Sequence, residues 1–404
     1  MKIKLPKDVE EIIDYIFKFD KEAFIVGGCV RDSIIGVTPN DYDITTSASP
    51  DEIMDIFKEY RIIETGIKHG TITLIKNNSE YEITTYRIDG DYNDNRRPDY
   101  VEFTKDITKD LERRDFTINA MAYNHKVGLV DEFEGIKDLD RKLIKTVGIA
   151  DERFNEDSLR IIRAVRFSSK LGFNIEHETL TSIYKNMNLI KNVSVERIQQ
   201  ELNKILISEN PEKLYILYDA EMFKYIGLNN IHIEKSDLIK LKECKNDISL
   251  RLTILIHTMS NKIEAIKLLD ILKYSNKIKN NCINFLEYID EDIYIDKLTV
   301  KRYLNKIGKE NLNNVIYLKS ILKKCLKNVD EDNYSDRINK IIEEIEKNNE
   351  CYLLKDLKIN GRDLEKLGYK GKEIGIKLNQ ILDIVMKEPN LNNKENIIKL
   401  LKYV

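Results

Sequence analysis

Hydrophobic periodicity changes near residue 150 of this 404-residue chain. Before that point, short apolar runs alternate with polar turns, which is typical of strands in a sheet. The predicted strands cover residues 23–26, 43–45, 61–64, 70–75, 80–85, 100–103 and 143–146. After that point, apolar residues recur every three or four positions, as in amphipathic helices. The sequence therefore predicts an α+β protein, with a mixed sheet first and an all-helical remainder.

Composition excludes several classes of protein. The chain is 42% hydrophobic and 33% charged, which is typical of a soluble globular protein. No apolar run approaches the roughly 18 residues of a membrane span, and the N-terminus lacks a signal peptide, so we expect a cytoplasmic protein. The five cysteines form no Cys-x-x-Cys pair, which argues against a zinc site or a disulfide framework. Thirteen of the seventeen arginines precede residue 200, which favours the first half for phosphate chemistry.

Two short motifs near the N-terminus indicate chemistry on phosphates. Gly-Gly-Cys-Val-Arg-Asp occupies residues 27–32, and Asp41 and Asp43 follow before another apolar run. Alternation along a strand places Asp41 and Asp43 on one side, where two carboxylates can hold hard cations. Amides at Gly28 and the Arg31 guanidinium can hold the accompanying phosphates. Each motif alone also fits a plain surface turn, but together they favour nucleotidyl transfer aided by two metal ions.

A second candidate site lies in the Arg-rich segment at residues 156–166. Its spacing predicts Asp157 and Arg160 on one helix face, with Arg163 and Arg166 continuing the same stripe. Cytosine and adenine present an amino donor beside a ring-nitrogen acceptor, whereas uracil and guanine present the reverse arrangement. Because a carboxylate accepts and a guanidinium donates, Asp157 and Arg160 would match C or A. The alternative interpretation is a ladder of surface salt bridges.

Five motifs, taken in order, resemble those of one enzyme family. They are Gly27-Gly28-x-x-Arg31-Asp32, Asp41-x-Asp43, Thr65-Gly66-x-x-His69-Gly70-Thr71, Arg113-Arg114-Asp115-Phe116-Thr117-Ile118-Asn119-Ala120 and Glu156-Asp157-x-x-Arg160-x-x-Arg163. In this order they are similar to the motifs of the bacterial (class II) tRNA nucleotidyltransferases, the CCA-adding enzymes. Weaker similarity continues at residues 194–202, which resemble the neck helix of that family, and at residues 359–368, which resemble its tail.

The resemblance implies an architecture and a set of site residues. A nucleotidyltransferase head of the polymerase-beta type would occupy residues 1–145, followed by a helical neck (146–210), body (211–330) and tail (331–404). Asp41 and Asp43 would hold Mg²⁺. A third catalytic carboxylate is expected on a neighbouring strand, where Glu82 is the best candidate and a solvated strand residue is the alternative. The implied nucleotide-binding residues are Gly28, Arg31, Arg114, Asp157, Arg160, Arg163 and Arg166.

The activity implied by the resemblance is template-independent addition of C, C and A to the 3′ end of tRNA, with CTP and ATP as substrates. The neck would select the base, and the body and tail would bind tRNA. A polar loop at residues 89–98 favours addition of all three nucleotides. The chain lacks the His-Asp pair of the phosphohydrolase domain that some relatives carry, so we do not expect that second activity. No membrane and no protein partner is implied.

Two alternatives stay open from the sequence. A poly(A) polymerase shares the carboxylates and the Arg-rich helix, although residues 65–71 resemble the tRNA enzymes more closely. A non-catalytic RNA-binding protein on a degenerate head belongs to a different class. The intact pair of Asp41 and Asp43 argues against it, because a degenerate head would be free to lose these carboxylates.

Overall fold

Strands form in all seven regions where the apolar alternation predicts them, and most of them belong to one mixed sheet. The protein is described by a computed structural model over residues 2–64, 66–90, 100–323 and 331–401. The described strands are β1 (Ala23–Val26), β2 (Ile44–Thr46), β3 (Arg61–Ile63), β4 (Thr71–Lys76), β5 (Ser79–Thr85), β6 (Arg87–Asp89), β7 (Val101–Phe103), β8 (Ala122–Asn124), β9 (Gly128–Val130), β10 (Leu143–Ile144) and β11 (Asn174–Ile175). Seven of these form the main sheet, in the order β3-β4-β5-β2-β1-β8-β9.

Strand β2 holds the centre of this sheet, between β1 and β5. It pairs antiparallel with β1 and parallel with β5, where Ile44 lies opposite Ile83. The residues that precede these two therefore lie side by side, with Asp43 just before β2 and Glu82 in the middle of β5. All four residues of β1 are buried, which fits its unbroken apolar sequence.

The chain divides into two units, Met1–Leu238 with Ile263–Lys273, and Ile239–Lys262 with Tyr274–Val404. The first unit contains the sheet and the site described below. Its helices before Leu238 are α1 (Lys7–Phe17), α2 (Gly28–Ile34), α3 (Pro50–Ile56), α4 (Ile107–Glu112), α5 (Gly135–Asp140), α6 (Ala150–Glu156), α7 (Leu159–Leu171), α8 (His177–Asn186), α9 (Val195–Leu206), α10 (Tyr215–Asp219) and α11 (Met222–Tyr225).

The second unit is helical wherever its structure is described. The remaining helices are α12 (Lys235–Glu243), which crosses the division, α13 (Ile248–Thr258), α14 (Lys262–Ile271), which belongs largely to the first unit, α15 (Asn276–Ile289), α16 (Lys297–Ile321), α17 (Glu331–Lys347), α18 (Gly361–Lys366), α19 (Lys372–Lys387) and α20 (Lys394–Leu400). Asn360 and Asp363 form a reciprocal cap at the start of α18, and Leu364 behind them packs into the local core with Ile381 and Val385.

The mixed sheet followed by helices confirms the predicted α+β class. Two local predictions were wrong. Strand β11 lies in the part predicted to be all-helical, because Gly172 ends α7 at φ 70° and the chain then pairs in parallel with β10. The single helix predicted over residues 153–171 is two helices, α6 and α7, with a break at Asp157 and Ser158.

Asp110 on α4 is a fully buried carboxylate that connects four segments of the first unit. It accepts hydrogen bonds from the side chains of Arg113 (2.7 and 3.0 Å) and Arg114 (3.1 Å). It also accepts from Thr45 on β2 (3.4 Å) and from the backbone amide of Arg87 on β6 (3.3 Å). Burial by itself would raise the pKa of Asp110, but the charges of Arg114 and Arg113 hold it below its usual range.

Replacing Asp110 with Asn is expected to lower the free energy of unfolding by about 3–5 kcal/mol, because the change leaves two arginines without their buried counter-charge. Chemical denaturation monitored by circular dichroism measures this loss. Glu112→Gln on the same helix is the matched control, since its ion pair with Lys109 is exposed and is worth less than about 1 kcal/mol. Equal stability of the two variants would contradict the central role of Asp110.

Candidate active site

A glycine turn brings the end of β1 close to an arginine. Gly27 has φ 80° and ψ −129°, a conformation that favours glycine, and its amide donates to the Met121 carbonyl at 3.1 Å. A Cβ atom at Gly27 would lie 3.2 Å from Nη1 of Arg114. Helix α2 begins directly afterwards at Gly28, so its first residues face the same space as Arg114.

The carboxylates Asp41 and Asp43 lie in the segment that leads into β2. Both line one cavity, whereas Tyr42 lines a separate groove, so the predicted alternation is confirmed here. The open cleft leaves Asp43 accessible to water. Even so, partial burial raises the pKa of Asp43, and the charges of Asp41 and Glu82 raise it further against the opposing charge of Arg114. Negative charge therefore exceeds positive charge immediately around Asp43.

Glu82 occupies a different place from the aspartate pair. It lies in the middle of β5, beside Asp43 and one strand away, but it does not line the cavity. Within the described residues, no three carboxylate, imidazole or thiol side chains are grouped closely enough to bind a metal ion by themselves. A metal ion held by the aspartate pair would thus need further ligands of another kind, such as phosphate oxygens or water.

A hydrogen-bonded chain crosses the cavity wall from α2 to α7. Arg31 donates to Asn119 Oδ1 at 2.5 Å, and Asn119 donates to Asp115 Oδ1 at 3.0 Å. Arg163 donates twice to Asp115 Oδ2, at 2.5 and 2.9 Å. Although burial opposes it, the Arg163 charge helps lower the pKa of Asp115 to about 2. The two arginines are consequently held in fixed orientations by groups that lie between them.

The segment around Asp157 differs from the predicted continuous helix. Asp157 is extended (φ −132°, ψ 102°), because its carboxylate accepts the Leu159 amide at 3.1 Å and so caps the start of α7. Asp157 and Arg160 therefore do not share one helix face, although both line the cavity. Arg160 donates to Glu156 at 2.6 Å, and Asp157 accepts from Arg197 at 2.9 Å.

Three guanidinium groups surround the ring of Phe167. Arg166 lies 3.8 Å from the ring centroid, Arg31 lies 5.2 Å from it and Arg163 lies 5.4 Å from it. Arg166 also pairs with Glu201 of α9 at 2.5 Å. Burial lowers the pKa of Arg166, and the charge of Arg163 adds to this effect despite the opposing charge of Glu201. Such a concentration of like charges favours an anionic ligand.

One cavity of about 540 Å³ gathers nearly all of the predicted site residues. Its predicted members are Gly28, Arg31, Asp41, Asp43, Arg114, Asp157, Arg160, Arg163 and Arg166. Residues that also line it but were given no role from the sequence are Gly27, Arg113, Asp115, Asn119 and Phe167. These five lie inside or next to the quoted motifs, so position in the motifs was the available signal. A carboxylate pair and clustered guanidinium groups that line one cavity can together hold a nucleoside triphosphate.

Comparison with known proteins identifies the family. A family model described as "Poly A polymerase head domain" matches residues 23–145, and one described as "Probable RNA and SrmB- binding site of polymerase A" matches residues 172–228. The sequence is 34% identical to the CCA-adding enzyme of Ligilactobacillus salivarius over 96% of this chain and 94% of that relative. The chain belongs to the CCA-adding enzyme family. A further CCA-adding enzyme, from Geobacillus kaustophilus, is 45% identical over 53% of each chain.

The fold supports the same membership. The crystal structure of the Bacillus stearothermophilus CCA-adding enzyme in complex with CTP matches with a TM-score of 0.81 and 27% identity, over 99% of this chain and 98% of that one. The family resemblance and the assignment as an enzyme are confirmed by these matches. Among the described residues, no helix combines the length and the apolar character needed to cross a bilayer.

The pKa of Asp115, about 2 in the folded protein against a usual 3.8, predicts how stability depends on pH. Because the folded state binds this proton more weakly, the ionised carboxylate contributes about 2 kcal/mol of stability above pH 4. This contribution is lost as the pH falls from about 4 to 2. Urea denaturation of the wild type and of Asp115→Asn should therefore differ at neutral pH and converge in acid. If the difference in unfolding free energy between the two proteins stayed constant with pH, it would contradict the lowered pKa of Asp115.

Proposed function

We propose that this protein adds C, C and A to the 3′ end of tRNA in the cytoplasm, using CTP and ATP and releasing pyrophosphate. The observation that carries the proposal is the single cavity in which a carboxylate pair faces clustered arginines and the Asp157–Arg160 segment. Membership of the CCA-adding family supports the choice of substrates. Among the solved CCA-adding enzymes of similar fold, that of Thermotoga maritima is complexed with tRNA_CCA and another is complexed with ATP.

Asp41 and Asp43 are proposed to hold the divalent cations, which enzymes of this family generally use. The residues fit such a group, because both carboxylates line one cavity and supply the oxygen ligands that hard cations prefer. Glu82 is proposed as the neighbouring third carboxylate, acting from the adjacent strand. When bound, two Mg²⁺ ions would lower the pKa of the attacking RNA hydroxyl and stabilise the triphosphate and the leaving pyrophosphate.

The triphosphate is proposed to lie against Gly28, Arg31 and Arg114. Arg114 is the most suitable of these groups, because its Nε is buried without a hydrogen-bond partner. An unpaired buried donor is costly, and a phosphate oxygen would satisfy it. Arg163 and Arg166 add positive charge to the same cavity, and Asp115 and Glu201 fix their positions. These groups bind and orient the nucleotide before transfer.

Base selection is proposed to come from Asp157 and Arg160. A carboxylate acceptor and a guanidinium donor match the edge shared by C and A, as the sequence analysis argues. Because of the break between α6 and α7, Asp157 and Arg160 do not share one helix face as predicted. Both side chains still line the cavity, so both can contact a base there. Each mismatched buried group costs on the order of 1–3 kcal/mol, so two mismatches would exclude U and G strongly.

The remaining chain is proposed to position tRNA. We retain the division into a catalytic head (1–145), a nucleotide-selecting neck (146–210), and a body (211–330) and tail (331–404) that hold tRNA through lysines and arginines. The match of residues 172–228 to a probable RNA-binding region supports an RNA contact after the head. The loop used to predict addition of all three nucleotides falls mainly on residues 91–99, which lie outside the described residues.

Incubation with a tRNA that lacks its terminal CCA tests the proposal directly. We expect two cytidines and then one adenosine to be added in the presence of Mg²⁺. Asp41→Ala and Asp43→Ala should each reduce incorporation by about a thousandfold, since cation binding contributes several kcal/mol, while tRNA binding persists. Asp51→Ala, an exposed change on α3, is the control. Long adenylate tracts without cytidine would instead indicate a poly(A) polymerase, and full activity of the aspartate variants would remove the proposed metal ligands.

Substitution of Asp157 or Arg160 by Ala should weaken nucleotide selection. We expect the preference for CTP and ATP over UTP and GTP to fall by roughly tenfold to a hundredfold, because a mismatched edge no longer leaves two buried groups unpaired. Glu152→Ala, an exposed position on α6, is the control. Steady-state incorporation of all four nucleotides measures the effect, and an unchanged preference would exclude this segment from base selection.

A further inference from the structure

Helix α9 places two charged side chains behind the nucleotide cavity. Arg197 and Glu201 are one turn apart, and neither is among the residues that line the cavity. Arg197 pairs with Asp157 and Glu201 pairs with Arg166, so each bonds a residue that does line it. Beside these two residues, the buried apolar side chains of Ile198, Leu202 and Ile205 anchor α9 in the core.

The Asp157 carboxylate is fixed by three donors from two directions. Oδ1 accepts the Leu159 amide at 3.1 Å and Nη1 of Arg197 at 3.3 Å. Oδ2 accepts Nη2 of Arg197 at 2.9 Å. A carboxylate has about four acceptor positions, so these bonds leave Oδ2 with one position for a further donor. The two-pronged contact from Arg197 fixes the rotation of the carboxylate, which the single amide bond cannot do alone.

We propose that Arg197 is a positioning residue that sets the specificity of the Asp157 carboxylate for the amino groups of C and A. This inference rests on the proposed function. With Arg197 in place, Oδ2 is presented in one orientation and a base carbonyl at that position meets only an acceptor. Without it, Asp157 can turn away from the base, and the penalty against U and G falls. Lys cannot replace Arg fully, because an ammonium is a point charge that lacks the planar pair of donors.

The test compares Arg197→Gln and Arg197→Lys with wild type on tRNA lacking its CCA end. The readout is the ratio of kcat/KM for CTP over UTP and for ATP over GTP, together with the melting temperature and the Kd for tRNA. We expect both ratios to fall about tenfold or more in Arg197→Gln, with an intermediate loss in Arg197→Lys and the same Kd for tRNA. Glu196→Gln is the matched control, because it removes an exposed ion pair with Lys273 from the same helix turn.

A double-substitution cycle shows whether Arg197 acts through Asp157. Once Asp157 is Ala, the added Arg197→Gln change should cause no further loss of discrimination. Further loss in the double variant, or an equal fall in kcat/KM for all four nucleotides in Arg197→Gln, would overturn the proposal. If Arg197→Gln fails to fold, Arg197→Lys decides: discrimination equal to wild type overturns the inference, and a loss at unchanged melting temperature supports it. A different result would overturn the proposed function, namely that the wild type adds neither C nor A to the tRNA.

Discussion

The buried carboxylate of Asp110 is the interaction on which the arrangement of the head depends. A charged group without solvent is stable only when it is paired and fully hydrogen-bonded, and Asp110 meets both conditions. Its bonds to Thr45 and to the Arg87 amide attach α4 to β2 of the main sheet and to β6, while its bonds to Arg113 and Arg114 place both guanidinium groups at the cavity. The same carboxylate therefore serves the fold and the site.

Further ion pairs fix other side chains that line the cavity. Asp115 fixes Arg163, Glu201 fixes Arg166, and Arg197 fixes Asp157, so each of these three cavity-lining side chains is paired with a side chain of opposite charge. Because the partners come from α9 and from the segment after α4, the site is assembled from parts of the chain far apart in sequence. A nucleotide would thus meet groups already oriented, and little conformational entropy would be lost on binding.

Strand alternation predicted most of the main sheet, because it reports local structure, whereas the resemblance to the CCA-adding enzymes implied most members of the cavity. Sequence patterns did not predict the break at Asp157, since a side chain that caps the Leu159 amide competes with helical periodicity and leaves no trace in the apolar spacing. Asp110 resembles any acid in a short helix, and only the tertiary structure shows its burial. Strand β8 was missed because its Ala-Tyr-Asn sequence has weak strand preference, although pairing with β1 and β9 stabilises it.

The parallel pairing of β2 with β5 has a consequence for how sequences of this kind can diverge. Asp43 and Glu82 adjoin each other through strand register, while α3, β3 and β4 lie between them along the chain. In the sheet, β3 is the terminal strand and β4 lies next to it, on the far side of β5 from β2. Insertions or deletions in the turns of this segment would therefore change only the β3–β4 edge of the sheet. The distance between the two carboxylates would be conserved while the number of residues between them varied.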